Sequence, residues 1–183
     1  MNSANWQPTP AALASDGALL HTVEAIYLDR YRRHFAGTLN ANPQLPVETR
    51  ALRRIGPWRL FLLLTPWMMA RLLFHDRTAP IDITAECSTA ARAHGGDIGP
   101  AIAFALLEST QKGHLNYHPQ LGHYVLQPLV LSMDRYADAD AVFTAWDAVI
   151  KTRDENMKRK QLHCPMQAEI SRREFLGGRR EAR

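Results

Sequence analysis

The apolar residues change their spacing near residue 37, and that change restricts the fold more than any other feature of the sequence. Before it, Leu19, Leu20, Val23, Ile26, Tyr27, Tyr31 and Phe35 recur three and four apart, which places them on one stripe of a helix that Ser15 or Asp16 can cap. Gly37 stops that helix, and Asn40 to Pro46 forms a turn-rich connector whose prolines restrict the residues before them. After it, Val47 to Ile55 alternates in part, and the Gly56-Pro57 turn leads into Trp58 to Leu64, a run rich in aliphatic and aromatic residues. Two such runs around a short turn predict a hairpin with a buried second strand. Thr65 then reads as the cap of a short helix, Pro66 to Phe74, because the fixed backbone angle of proline suits a first helical turn. The exposed face of that helix would show Trp67, Met68 or Met69.

Further on, the alternation Ile81-Asp82-Ile83-Thr84 suggests a strand within Ile81 to Ala90, and Gly95-Gly96 with Gly99-Pro100 marks the following loop. Ile102 to Thr110 fits a short helix or a strand. Gly122 to Met133 reads as a strand interrupted by Pro128, which calls for an edge position or a bulge. Tyr136 to about Lys160 is a long helix with Val142, Phe143, Trp146, Val149 and Ile150 on one face. Helices at both ends, strands between them and no βαβ alternation predict an α+β fold with a mostly antiparallel sheet. The expected organisation is a flexible segment over residues 1–17, one α+β domain over 18–160 and a basic tail over 161–183.

A length of 183 residues with 46% hydrophobic and 22% charged residues is enough for one real core. Residues 1–17 lack the basic start and apolar stretch of a secretory signal, so the expected location is the cytoplasm. The most apolar stretch, around Leu60 to Ala70, is broken by Thr65 and Pro66 and flanked by Arg59 and Arg71, which excludes a membrane span. Two cysteines, Cys87 and Cys164, do not make a disulfide framework. The net charge of +4 is concentrated late: Lys151 to Arg183 holds ten Lys and Arg against five Asp and Glu. No aromatic residues interleave the basic run Lys158-Arg159-Lys160 as a base-stacking surface requires, so nucleic acid is not the expected partner.

Chemistry-bearing residues are sparse. His114, His118 and His123, with His163 beside Cys164, supply metal-binding side chains, but their spacing matches no closed site, and Gly113, Pro119 and Gly122 predict a loop with solvated histidines. Neither a nucleophile elbow nor a phosphate loop nor a dinucleotide fingerprint is present, and Cys87 reads as a buried, inert thiol. The segment Thr65-Pro66-Trp67-Met68-Met69 offers large, adaptable apolar area, which either packs on its own sheet or grips a partner. Near the other end, Ser171-Arg172-Arg173-Glu174-Phe175-Leu176 has the pattern of a twin-arginine export signal. Its late position, with Gly177-Gly178-Arg179-Arg180 following it and no apolar stretch, disqualifies it as a signal. It remains either a chance basic tail or a recognition element in which Arg172 and Arg173 meet carboxylates while Phe175 and Leu176 fill an apolar groove.

These stretches together resemble the HybE-type hydrogenase assembly chaperones, also described as the HupJ or HoxT group. Asn42-Pro43-Gln44-Leu45-Pro46-Val47-Glu48 is similar to that family's N-P-x-L-x-V-E, Gly56-Pro57-Trp58 to its tryptophan-bearing turn, and Thr65-Pro66-Trp67-Met68-Met69 to its T-P-W-x-M. Ser171 to Gly178 is similar to its S-R-R-x-F-L-x-G ending, whereas Val125 to Met133 departs from the family's Leu-Phe-Ser-Pro-Met pattern after the tyrosine. The resemblance implies a chaperone, not an enzyme and with no cofactor of its own, that binds an immature nickel-iron hydrogenase. The main partner it implies is the small-subunit precursor bearing a twin-arginine signal, with the large subunit and a rubredoxin-like protein as further partners. A homodimer stays open. Partner-binding residues on this reading are Pro66, Trp67, Met68, Met69, Arg172, Arg173, Phe175 and Leu176. The competing reading is a metal carrier that uses His114, His118, His123, His163 and Cys164.

Overall fold

A computed structural model describes residues 6–93, 98–107 and 109–162, with side chains as far as residue 156. Its backbone is an α+β arrangement. Helix α1 (Asp16–Arg30) continues into a π-helical turn (Tyr31–Phe35) and is followed by strands β1 (Glu48–Ile55), β2 (Trp58–Leu64) and β3 (Met69–His75). Helix α2 (Ala85–Ala93), strands β4 (Ala101–Leu106), β5 (Ser109–His118) and β6 (Gly122–Val130) and helix α3 (Ala139–Leu162) complete the order. The strands form one six-stranded sheet in the order β1-β2-β3-β6-β5-β4, with every neighbouring pair antiparallel. This is the expected fold class. The chain divides into two compact units, Met1–Ala139 with the whole sheet and a second that starts at Asp140.

The alternation of side chains along the strands builds two cores. On one face Phe61, Leu63, Ala70, Leu72, Phe74, Tyr124 and Leu126 meet Leu19, Val23 and Tyr27 of α1. There Phe74 stacks between Phe61 and Tyr124, with centroids 5.6 and 5.0 Å away. On the other face Leu60, Leu73, Phe104, Leu115 and Val125 meet Ala91 of α2 together with Trp6, Ile81 and Ile83. Ser15 caps α1 by accepting a hydrogen bond from the Ala18 N–H at 3.2 Å. Arg59, 1% exposed, donates to the Leu13 carbonyl at 2.8 Å and pairs with the Asp76 carboxylate at 2.8 Å. A buried cation on the sheet thus holds the strand beneath it to the segment before α1.

Three expectations are corrected. Residues 66–74 are not a helix: Thr65–Met68 is the turn between β2 and β3, and Met69–His75 is a strand paired residue for residue from Trp58↔His75 to Leu64↔Met69. A Thr-Pro pair starts a turn as readily as a helix, and a short apolar run buried on both sides has no period to separate the two. Ile81 and Ile83 are buried on alternate positions as a strand would have them, yet they pair with no strand, and the chain enters α2 instead. The Thr84 hydroxyl caps that helix, accepting from the Cys87 N–H at 3.1 Å. His114 and His118 lie on β5 and not in a loop. Within the segment before α1, Trp6 and Leu13 are buried, 4% and 9% exposed. Pro128 does mark a bulge, since Ala70 pairs with Pro128 and Met69 with Val130, but β6 is an interior strand.

Candidate functional site

The motif Thr65-Pro66-Trp67-Met68 forms a closed four-residue turn whose chemistry is carried by Thr65. The Thr65 N–H and hydroxyl both donate to the Met68 carbonyl at 2.9 Å, and the same hydroxyl accepts from the Met68 N–H at 3.0 Å. Thr65, Pro66, Met68 and Met69 are buried, the last two 3% and 0% exposed. Of the residues expected to grip a partner here, only Trp67 reaches the surface, and it does so half-buried. Met68 and Met69 belong to the packing of the sheet.

Trp67 heads an aromatic ladder. Its ring lies parallel to Phe35 with centroids 4.2 Å apart and planes within 3°, and Tyr31 and Tyr27 each lie 6.3 Å from the same Trp67 ring, which all three thus face. Tyr27, Tyr31 and Phe35 are four residues apart, so a helical backbone lines them up on one side, and the π-helical turn over Tyr31–Phe35 brings the last two to Trp67. Such turns inside helices recur at functional sites. Tyr31 and Phe35 are half-buried like Trp67, while Tyr27 is buried with its hydroxyl 3.1 Å from that of Tyr124. Sequence reading found the stripe and found Trp67 but did not join them. The available signal was the row Tyr27, Tyr31, Phe35, which continues the stripe past the point where the helix needs it.

Asn42 fastens this corner. Its N–H donates to the Pro66 carbonyl at 2.7 Å, and its side-chain amide donates to the carbonyls of Met133 at 3.0 Å and Tyr136 at 2.7 Å. The turn, the connector and the segment after β6 are thereby tied through one residue, its backbone N–H to the turn and its side-chain amide to the segment after β6, which gives the Asn42-Pro43 pair in the connector a physical role.

On a neighbouring flank of α1 lies a cleft of about 350 Å³ lined by Ile26, Asp29, Arg30, Arg33, His34 and His118, among others. Arg30 is 7% exposed and stacks over Tyr27 at 4.9 Å, and Asp29 is held by Arg33 at 3.0 Å. The surplus of cations makes the cleft basic. Burial first and then the Arg30 charge lower the pKa of His118.

The candidate metal ligands are not brought together. His114 pairs with Leu126 and so shares the α1 face with His118, whereas His123 pairs with Tyr117 and points into the opposite core. Among the described residues no three His, Cys, Asp or Glu side chains gather as a metal set. His163, Cys164, Arg172, Arg173, Phe175 and Leu176 lie outside the described residues. His123 is fully buried; its Nδ1 accepts from the Gln7 N–H at 2.8 Å and its Nε2 lies 3.2 Å from the Ser88 hydroxyl. An Nδ1 that accepts leaves the ring proton on Nε2, which therefore donates to Ser88. A base for Ser88 would need the other tautomer, so this pair is structural. Burial, with Arg92 nearby, lowers the His123 pKa to about 4. Cys87 is half-buried, and that burial raises its thiol pKa, away from nucleophilic reactivity.

The chain is thus an α+β sheet protein whose buried His123 and Ser88 are engaged with each other and whose Trp67, Phe35 and Tyr31 reach the surface with their rings parallel. The match to known families is specific: the model of the family described as "[NiFe]-hydrogenase assembly, chaperone, HybE" covers residues 18–178, and the chain belongs to that family. It is thus a member of a family of hydrogenase assembly chaperones. No curated protein and no solved structure matches the chain. No helix among the described residues is long and apolar enough to cross a membrane.

Proposed function

We propose that this protein holds an immature subunit of a nickel-iron hydrogenase in the cytoplasm, principally the small-subunit precursor with its twin-arginine signal, until cofactors and large subunit are in place. The large subunit and a rubredoxin-like protein are the further partners of this reading. The observation that carries it is the ladder of Trp67, Phe35 and Tyr31 at the surface of a chain belonging to an assembly-chaperone family. Half-buried aromatic rings on a pre-formed turn present apolar area at little entropic cost, which suits capture of an extended apolar segment. The basic cleft on the same helix disfavours a client's arginine pair, so contact with the signal falls on its apolar stretch. Arg172, Arg173, Phe175 and Leu176, which imitate the signal, compete with it for the ladder or bind the same partners. Binding only the unfinished form shifts the client's equilibrium by the difference in affinity, and folding of the client releases it.

Co-purification of tagged protein with a small-subunit precursor tests the reading, using Trp67→Ala and the pair Arg172→Ala with Arg173→Ala. Wild type should retain the precursor and Trp67→Ala should lose most of it. Equal retention by Trp67→Ala removes the ladder from the reading. Failure of wild type to hold either subunit precursor removes the client. Unchanged capture and release in the double-arginine variant eliminates the tail's part.

A further inference from the structure

The two edges of the sheet are treated differently. Edge strand β1 carries Glu48, Arg50, Arg53 and Arg54, and its pairing with β2 slips between Arg50 and Arg53 around Ala51, whose φ is 57°. Charges and a bulge are the usual means of stopping an edge from recruiting another strand. Edge strand β4, Ala-Ile-Ala-Phe-Ala-Leu, has no charge and no proline and pairs with β5 without a slip from Ala101↔His114 to Leu106↔Ser109. Among the described residues none pairs with its outer side. Phe104 and Leu106 are 4% and 8% exposed, while Ala101, Ala103 and Ala105 on the other face are exposed and leave that side of the strand flush.

We infer that β4 is an interface for a second copy of this chain, the two β4 strands pairing antiparallel about a two-fold axis at Phe104. The choice of occupant rests on the strand's symmetry. Reading outward from Phe104 in either direction gives alanine, Ala103 or Ala105, then a branched aliphatic residue, Ile102 or Leu106. A two-fold axis places each of these opposite its like: Ala103 against Ala105, Ile102 against Leu106, Phe104 against itself. No charge meets a like charge, and the apolar row of one sheet continues into the apolar row of the other. The exposed Leu107, 76% accessible, falls next to Ala101 of the second copy. β1 has neither the symmetry nor the regular register for this.

Sedimentation of the full chain from low to high micromolar concentration should show a reversible monomer–dimer equilibrium. Ala103→Lys or Ala105→Lys, both on exposed positions, should weaken it by about tenfold or more, because each brings a cation into the pairing. Register is read by disulfide trapping in a background with Cys87→Ser and Cys164→Ser. A mixture of Ala103→Cys and Ala105→Cys chains should cross-link between copies in higher yield than either variant alone. If the lysine variants fail to melt cooperatively, the trapping result decides. A wild type that stays monomeric throughout, as expected if the edge serves an extended segment of another protein instead, overturns the inference. So does a dimer that both lysines leave intact and that shows no preference for the 103–105 cross-link.

Discussion

Thr65 performs three bonds with one backbone amide and one hydroxyl, and it is fully buried. Thr65→Val keeps the shape and removes the hydroxyl, leaving the Met68 N–H without its acceptor inside the protein. The expected loss is about 2 kcal/mol, the usual cost of a buried donor left unsatisfied, and urea unfolding measures it. A change below about 0.5 kcal/mol would mean the turn is held by its neighbours alone. The residue scale also separates the two methionines from the tryptophan beside them. Sequence shows three large apolar residues in a row, and only the strand register decides that Met69, opposite Leu64, points inward while Trp67, in the turn, does not.

Among the elements, α1, the β1–β2 hairpin, β6 and α3 were legible because each keeps its own period or turn signal over several residues. Ser15, the Gly56-Pro57 pair and the bulge at Pro128 are local chemistry, and local chemistry is what a sequence displays. β3 and α2 were misread for opposite reasons: burial on both faces erases the period in β3, and the coil before α2 borrows the period of a strand. The β4–β5 turn shows the opposite case, a conformation the sequence does not favour. Leu107 sits at φ 55° between paired Leu106 and Ser109, where asparagine or glycine is the ordinary occupant. Leu107→Asn should therefore raise stability by about 0.5 to 1 kcal/mol, read as a higher denaturation midpoint with unchanged slope. No gain would place the strain elsewhere in the hairpin. The candidate site was half legible, Trp67 from its motif but not Tyr31 and Phe35, since a π-helical turn leaves no mark that a helix does not.

For the whole molecule, His123 makes stability depend on pH in a definite direction. The ordinary histidine pKa of 6.5 applies to the unfolded chain and about 4 to the folded one, so between these values the unfolded state binds a proton that the folded state does not. Stability is therefore complete above 6.5 and declines as pH falls toward 4, by up to roughly 3 kcal/mol for this group, with His118 acting in the same direction. Denaturation midpoints measured across that range should decline toward acid, and less steeply in His123→Asn. Equal slopes in the two proteins would remove His123 as the cause.

The same histidine lies where two distant stretches of chain are clamped. Gln7 and His123 exchange backbone and ring hydrogen bonds, and at Gly122, φ 75°, an added Cβ would lie 2.4 Å from the Pro8 carbonyl oxygen. During synthesis the stretch around Trp6 emerges long before the strand that receives it. Its bond to His123 spans 116 residues and closes only once β6 has been made, whereas Trp6 also meets the earlier-made Trp58, with ring centroids 6.4 Å apart. The clamp therefore joins the first described stretch of the chain to its last strand, a long-range contact that closes the sheet's far side onto the segment before α1.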